Sequence, residues 1–256
     1  MSKLADKIAI VTGASGGIGR ATAIQLAREG AHIVLQFNSN RHEAEKVAKE
    51  IMTIGRQALL AQVNFTDVNS APRQVQQMVD SAVDNWGRVD FLANLAGYPA
   101  KGEWNKTFLE LSPDDFFKPI HVDLFGSFLC SRAVAPHLLS QKHGVIVNVS
   151  STPALSGHNK GFAFTVAKAA VIGMTKALAV ELAPYVRVNT IALGNIETEW
   201  IKELTEEELS SEREENLIKR FGTVEEVAKV ITFLCSDDSA FINGQTLVLD
   251  GGNVLH

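Results

Sequence analysis

The first apolar run of the chain, residues 7–12, ends in Thr12-Gly13-Ala14-Ser15-Gly16-Gly17-Ile18-Gly19, and an amphipathic run begins inside that turn. Glycine lets backbone N–H groups lie bare and close to a ligand, and a helix N-terminus adds partial positive charge. A strand, a glycine turn and a helix in this order therefore make a seat for a phosphate. A glycine triplet alone also suits a tight structural turn. Its place at the head of a strand–helix series points instead to a dinucleotide.

The series continues along the chain. Short apolar runs at 7–12, 32–37, 57–63, 89–94, 144–150, 186–192 and 246–249 alternate with longer amphipathic runs at 17–29, 41–54, 68–86, 113–141, 162–183 and 224–236. Most of the short runs are almost wholly apolar, so both faces are expected to be buried, as in a parallel sheet between helix layers. The expected architecture is α/β: a Rossmann-type, doubly wound parallel sheet of seven strands flanked by helices on both faces, in a single domain over residues 1–256. Ser112-Pro113 reads as a helix start, with Asp114 and Asp115 in the first turn. Residues near 197–217 break the rhythm, with many glutamates and few apolar residues beyond Trp200, Ile201, Leu204 and Leu209. Such an excursion beyond a strand's C-terminal end reads either as a lid over a ligand crevice or as a solvated helix.

Composition excludes several functions. With 46% hydrophobic and 21% charged residues, the 256-residue chain has material for an ample core. The net charge of -5 offers no basic surplus for nucleic acid or an anionic membrane. Cys130 and Cys235 lack metal-ligand spacing and form no disulfide framework, so no metal is expected and a reducing, cytoplasmic setting fits. No apolar run is expected to span a bilayer.

Several motifs together resemble the short-chain dehydrogenase/reductase family over essentially the whole chain. The turn Thr12 to Gly19 is similar to its TGxxxGxG signature, and Asn94-Leu95-Ala96-Gly97 to its NNAG motif. Val147-Asn148-Val149-Ser150-Ser151 resembles the strand that ends in a catalytic serine. Lys168 matches the lysine of YxxxK, Leu193-Gly194 and Thr198 match the PG…T segment, and Asp250-Gly251-Gly252 the usual C-terminal strand ending. The flavour is closest to 3-oxoacyl carrier-protein reductases and glucose dehydrogenases.

The resemblance implies a nicotinamide cofactor bound by Gly13, Ser15, Gly16, Gly17, Ile18, Gly19, Asn64, Phe65, Asn94, Ala96, Gly97, Lys168, Gly194, Ile196 and Thr198. An acidic residue ending the second strand would bind the ribose of NAD and repel the extra phosphate of NADP. Leu35 to Arg41 contains none, and Ser15, Asn38, Ser39 and Arg41 are able to surround a phosphate. NADP(H) is therefore favoured over NAD(H), although Arg41 also suits a plain helix start. Asn64 stands where the family usually has an adenine-contacting aspartate.

Carbonyl reduction by hydride transfer leaves a developing alkoxide that needs a proton and charge stabilisation. The resemblance assigns Ser151 to the carbonyl and Lys168 to the ribose and the proton relay. Four residues before Lys168, where the family has its tyrosine acid, stands Phe164, which has no proton to give. Asp123 stands at the position of the relay asparagine, Leu95 at the second asparagine of NNAG, and Leu193 at the proline of PG. Three replacements for the acid are open. Asp123 could pair with Lys168 and act as a base, His158 could act as an acid or be a solvated loop residue, and water on Ser151 could donate slowly. His121 reads as a helix-packing residue.

The expected function is NAD(P)(H)-dependent oxidation or reduction of a carbonyl/alcohol substrate (ketone, sugar or 3-oxoacyl) with an atypical relay. The alternative is a catalytically impaired cofactor-binding protein, a sensor or assembly partner. The glutamates near 197–217 would repel acidic carriers and favour a neutral small molecule. The resemblance implies a homotetramer assembled through the two long helices, with Val122, Leu124, Phe125, Phe128, Leu129, Val171, Met174, Leu178 and Leu182 as candidate apolar contacts.

Overall fold

A computed structural model describes residues 3–100 and 102–255. In chain order the elements are β1 (Ile8–Val11), α1 (Gly17–Arg28), β2 (His32–Phe37), α2 (Arg41–Thr53), β3 (Ala58–Gln62), α3 (Ala71–Trp86), β4 (Phe91–Asn94) and α4 (Pro113–Pro119). A π-helical turn (Ile120–Phe125) leads into α5 (Gly126–Gln141), followed by β5 (Gly144–Ser151), α6 (Pro153–Ser156), α7 (Phe162–Glu181) and β6 (Val186–Leu193). A 3-10 turn (Glu199–Glu203), α8 (Glu206–Glu215), α9 (Val224–Cys235), a second 3-10 turn (Asp237–Ser239) and β7 (Thr246–Leu249) complete the chain.

The seven strands lie parallel in the order β3-β2-β1-β4-β5-β6-β7. The order reverses between β1 and β4, where Val11 is in register with Ala93. Alternate residues of β1 feed opposite cores. Ala9 and Val11 join Ile24, Val47, Ile51 and Ile231 from α1, α2 and α9, whereas Ile8 and Ile10 join Val75, Met78, Leu129 and Val134 from α3 and α5. Each fully buried aliphatic side chain contributes about 1.5–3 kcal/mol, so the sheet is held by both layers rather than by strand pairing alone. A polar thread runs through this interior: Asn94 Nδ2 donates to Asn148 Oδ1 at 2.8 Å, Asn148 Nδ2 to Thr175 Oγ1 at 2.8 Å, and Thr190 Oγ1 to the same hydroxyl at 2.6 Å. It pins β4, β5, β6 and α7 in register, because each group would be costly to bury unpaired.

Three sequence expectations need correction. The run 113–141 is one helix in sequence pattern but not in structure. Pro119 has no N–H to continue α4, and the chain widens into the π-helical turn before resuming as α5. The run 68–86 becomes helical only at Ala71, because Asp67 first closes a turn with the Ser70 hydroxyl at 2.6 Å. By length and composition α7 is apolar enough to cross a membrane, with a mean hydropathy of 1.5. Its Val171, Thr175 and Ala179 are nevertheless buried, and the ammonium of Lys168 is held by Asp123 and Val149 O. Ser112 caps α4 as expected, with Asp115 completing a reciprocal capping box. Cys130 and Cys235 are buried, and that burial pushes both thiols up to about 12, which leaves them unreactive.

Candidate active site

The glycine turn lies at the C-terminal edge of the sheet, beside the point where strand order reverses, the usual place for a ligand crevice. Gly13 has φ +65°, and a Cβ there would meet the backbone of Ala96 at 3.0 Å. Gly19 packs still closer, since a Cβ would fall 2.2 Å from Gly13 O. These contacts fold the turn against Leu95 and Ala96. Gly16 and Gly17 remain exposed. α1 begins at Gly16 with no side-chain cap and no acid in its first turn, whereas α4, α8 and α9 each begin with a capping box. Its first amides are thus left for an external anion, and the residues fit a pyrophosphate.

Two residues outside the sequence expectation hold this turn. Gln36 accepts from Gly13 N at 2.8 Å and donates to Val63 O at 2.9 Å. Thr12 Oγ1 accepts from Leu95 N and Ala96 N, each at 2.9 Å. A buried polar side chain inside the otherwise apolar run HIVLQF was the available signal for Gln36.

The other nominated residues divide. Asn38, Ser39 and Arg41 are exposed together at the end of β2, with Arg41 Nε on Glu45 Oε1 at 2.9 Å. Asn64 accepts from Thr66 N at 3.1 Å and Oγ1 at 2.7 Å. Ser15 and Ile18 are half-buried in the turn. Thr198 reaches over it, its Cγ2 3.4 Å from where a Gly17 Cβ would lie. Gly194 is packed on Asp250, and Ile196 is buried, bridging to Gly222. The amide of Asn94 is committed inside the sheet, and the ring of Phe65 is turned inward against Gly126.

Lys168, Asp123, Phe164 and Ser151 gather at the same edge. The Ser150 hydroxyl donates to Lys168 O at 2.8 Å and seats α7 on β5. Lys168 Nζ then meets Asp123 Oδ1 at 2.6 Å and donates to Val149 O at 3.1 Å. Both side chains are almost fully buried, so each is the other's ion-pair partner away from solvent. The second carboxylate oxygen, Asp123 Oδ2, accepts from Tyr98 N at 2.9 Å. Gly97 sits open above them, its absent Cβ 3.4 Å from Asp123 Oδ1 and 4.0 Å from Lys168 Nζ. The glycine turn against Ala96, and Gly97 over the Lys168 ammonium, form one continuous cradle.

The Phe164 ring lies under Lys168 Nζ at 5.6 Å and meets the edge of Trp104 at 5.5 Å. Ser151 Oγ donates to Leu193 O at 3.0 Å. His158 is exposed, with its ring 5.6 Å from Trp104 and its Nδ1 accepting from Lys160 N at 3.1 Å. His121 stacks on Phe117 at 5.9 Å, a packing position. Trp104 was not anticipated from sequence. Gly161 permits its close approach, since a Cβ there would strike the indole at 2.3 Å.

Fold and site together define a dinucleotide-binding oxidoreductase. Residues 13–253 match the family model described as enoyl-(acyl carrier protein) reductase. The chain is 36% identical over 257 residues to a 3-oxoacyl-[acyl-carrier-protein] reductase of Synechocystis, covering all of both chains. It is 35% identical to the corresponding reductase of Thermotoga maritima, over 99% of this chain and all of that one. Among solved structures, a short-chain type dehydrogenase/reductase from Mycobacterium marinum superposes with a TM-score of 0.90 at 29% identity, covering 99% and 98% of the two chains. An NAD+-bound xylitol dehydrogenase superposes with a TM-score of 0.89 at 31% identity, covering 98% of this chain and 100% of that one. The chain belongs to the short-chain dehydrogenase/reductase family and is an NAD(P)-dependent oxidoreductase.

Proposed function

We propose that this protein transfers a hydride between NADP(H) and a carbonyl or alcohol substrate, using Ser151 and Lys168 with a proton relay altered at Phe164 and Asp123. The observation that carries the reading is the cradle from Gly16 through Gly97 to the paired Lys168. The nicotinamide cofactor, when bound, supplies or accepts the hydride. First-turn amides of α1 hold its phosphates, and Thr198 and Gly194 wall the crevice. Lys168 grips the ribose and needs no tyrosine to do so, and Ser151 turns from Leu193 O to the substrate oxygen. The preference for NADP(H) follows from the uncharged end of β2 and from Ser15, Asn38, Ser39 and Arg41 around it. Residues 197–217 act as a lid. The glutamates of α8 favour a neutral ketone, sugar or polyol over an acidic carrier. Exposed positions of α5 and α7 such as Phe128 and Val180 support assembly as a homotetramer, and the setting is cytoplasmic.

The test is fluorescence titration with NADPH and NADH followed by a carbonyl and alcohol panel. NADPH should bind more tightly and be consumed with a neutral ketone or sugar. Tight binding with no turnover across the panel would return the protein to the sensor class.

A further inference from the structure

We propose that Tyr98 donates the proton that Phe164 cannot. This inference rests on the hydride-transfer reading above. The chain has two tyrosines. Tyr185 directly precedes β6, at the opposite edge of the sheet, and lies under Lys142. Tyr98 follows Gly97 in the cradle, and its amide is clamped by Asp123 at 2.9 Å. Its side chain and the Phe164 ring line the same cavity, together with Trp104 and Glu103. That cavity measures about 10 Å³, the scale of a single water. The space between Tyr98 and Phe164 admits one water and no substrate, so the phenol's proton passes to a carbonyl beyond the Phe164 ring across that water, a range general acid catalysis allows.

The phenol is wired for proton return. Tyr98 Oη donates to Glu103 Oε1 at 3.1 Å, and Lys118 Nζ donates to the same oxygen at 3.0 Å. Asp115 Oδ1 holds Lys118 at 3.2 Å, and Lys106 holds Asp115 Oδ2 at 2.7 Å. In reduction the carbonyl carbon receives a hydride from the reduced cofactor, and the carbonyl oxygen takes the proton of Tyr98 Oη. The phenolate regains a proton from Glu103 as Lys118 protonates that carboxylate. Lys118, 34% exposed, is recharged from solvent. Burial first, then Glu103, pushes the Tyr98 phenol up, with Asp115 adding to the rise and Lys118 opposing it. Asp123 faces its amide and Lys168 lies beyond that carboxylate. A donor held above its ordinary range stays protonated, so reduction should persist into alkaline solution.

Tyr98→Phe keeps the ring and removes only the proton. Ketone reduction should fall about 10²–10⁴-fold in kcat, while the NADPH titration is unchanged. Tyr98→Phe combined with Phe164→Tyr should restore turnover. In a Tyr185→Phe background the phenolate absorbance titrates Tyr98 alone. Glu103→Gln should move that titration, and the alkaline limb of kcat, to lower pH together. The inference is overturned if Tyr98→Phe keeps full turnover, if Glu103→Gln leaves both midpoints in place, or if only Phe164→Tyr is active. Failure to bind either dinucleotide would sink the functional reading itself, and this inference with it.

Discussion

Lys168 Nζ and Asp123 Oδ1 lie 2.6 Å apart, on α7 and on the π-helical turn, with both side chains almost closed to solvent. An ion pair this buried is sensitive to loss of either partner, because the survivor is left as an unpaired charge. Asp123→Ala should lower stability by about 3–5 kcal/mol. Asp123→Asn should cost less, since an amide oxygen still accepts from Tyr98 N. Urea denaturation of the three proteins measures the difference. Equal midpoints would show that the pair carries no such charge.

Phe164→Tyr adds a phenol beside Lys168, 5.6 Å from the ring centre. Ketone reduction should rise, by up to about 10²-fold where proton transfer limits turnover. Steady-state kinetics at fixed NADPH would read the gain in kcat. A fall instead would mean that the Trp104 and Phe164 contact shapes the substrate site through its apolar edge.

Gly19→Ala places a methyl 2.2 Å from Gly13 O, against backbone that cannot yield cheaply. The turn must open, costing about 1–3 kcal/mol as overpacking does. Calorimetry should detect no dinucleotide uptake by this variant.

Asn38→Asp puts a carboxylate at the exposed end of β2. It should weaken NADPH by about tenfold or more and spare NADH, since a carboxylate repels the 2′-phosphate and bonds ribose hydroxyls. Parallel titrations check it, and unchanged selectivity would place the discriminating groups elsewhere.

Arg220 hydrogen-bonds the Glu226 carboxylate and holds it down at about 2, helped by the amide of Thr223 and opposed by burial. A carboxylate lowered in the folded state stabilises above its unfolded value of 4.5, and this is lost as pH falls through about 2. Glu226→Gln should therefore flatten the loss of stability with acid in that window. The effect is small, because the pair is partly exposed and screened. Thermal melts between those limits provide the measurement.

Much of the sheet was legible from residues alone. Runs such as 32–37 and 246–249 coincide with β2 and β7, the first because an apolar stretch is stable between two helix layers, the second as a half-buried edge strand. The glycine turn was legible too, since only glycine tolerates the approaches at Gly13 and Gly19. The break at Pro119 was not, because apolar residues continue on both sides of it through 113–141 while the missing N–H alters hydrogen bonding alone.

The sequence by itself determined the layered α/β fold, the glycine turn after β1 and the absence of a phenol at Phe164. Local pattern decides these, through periodicity, backbone freedom and the atoms a side chain carries. Only tertiary structure decided that Gln36 braces the turn, that Asp123 meets Lys168, and that Tyr98 shares a cavity with Phe164. Those contacts join residues far apart in the chain, and their positions follow from how the two helix layers close on one sheet, which no run of neighbouring residues records.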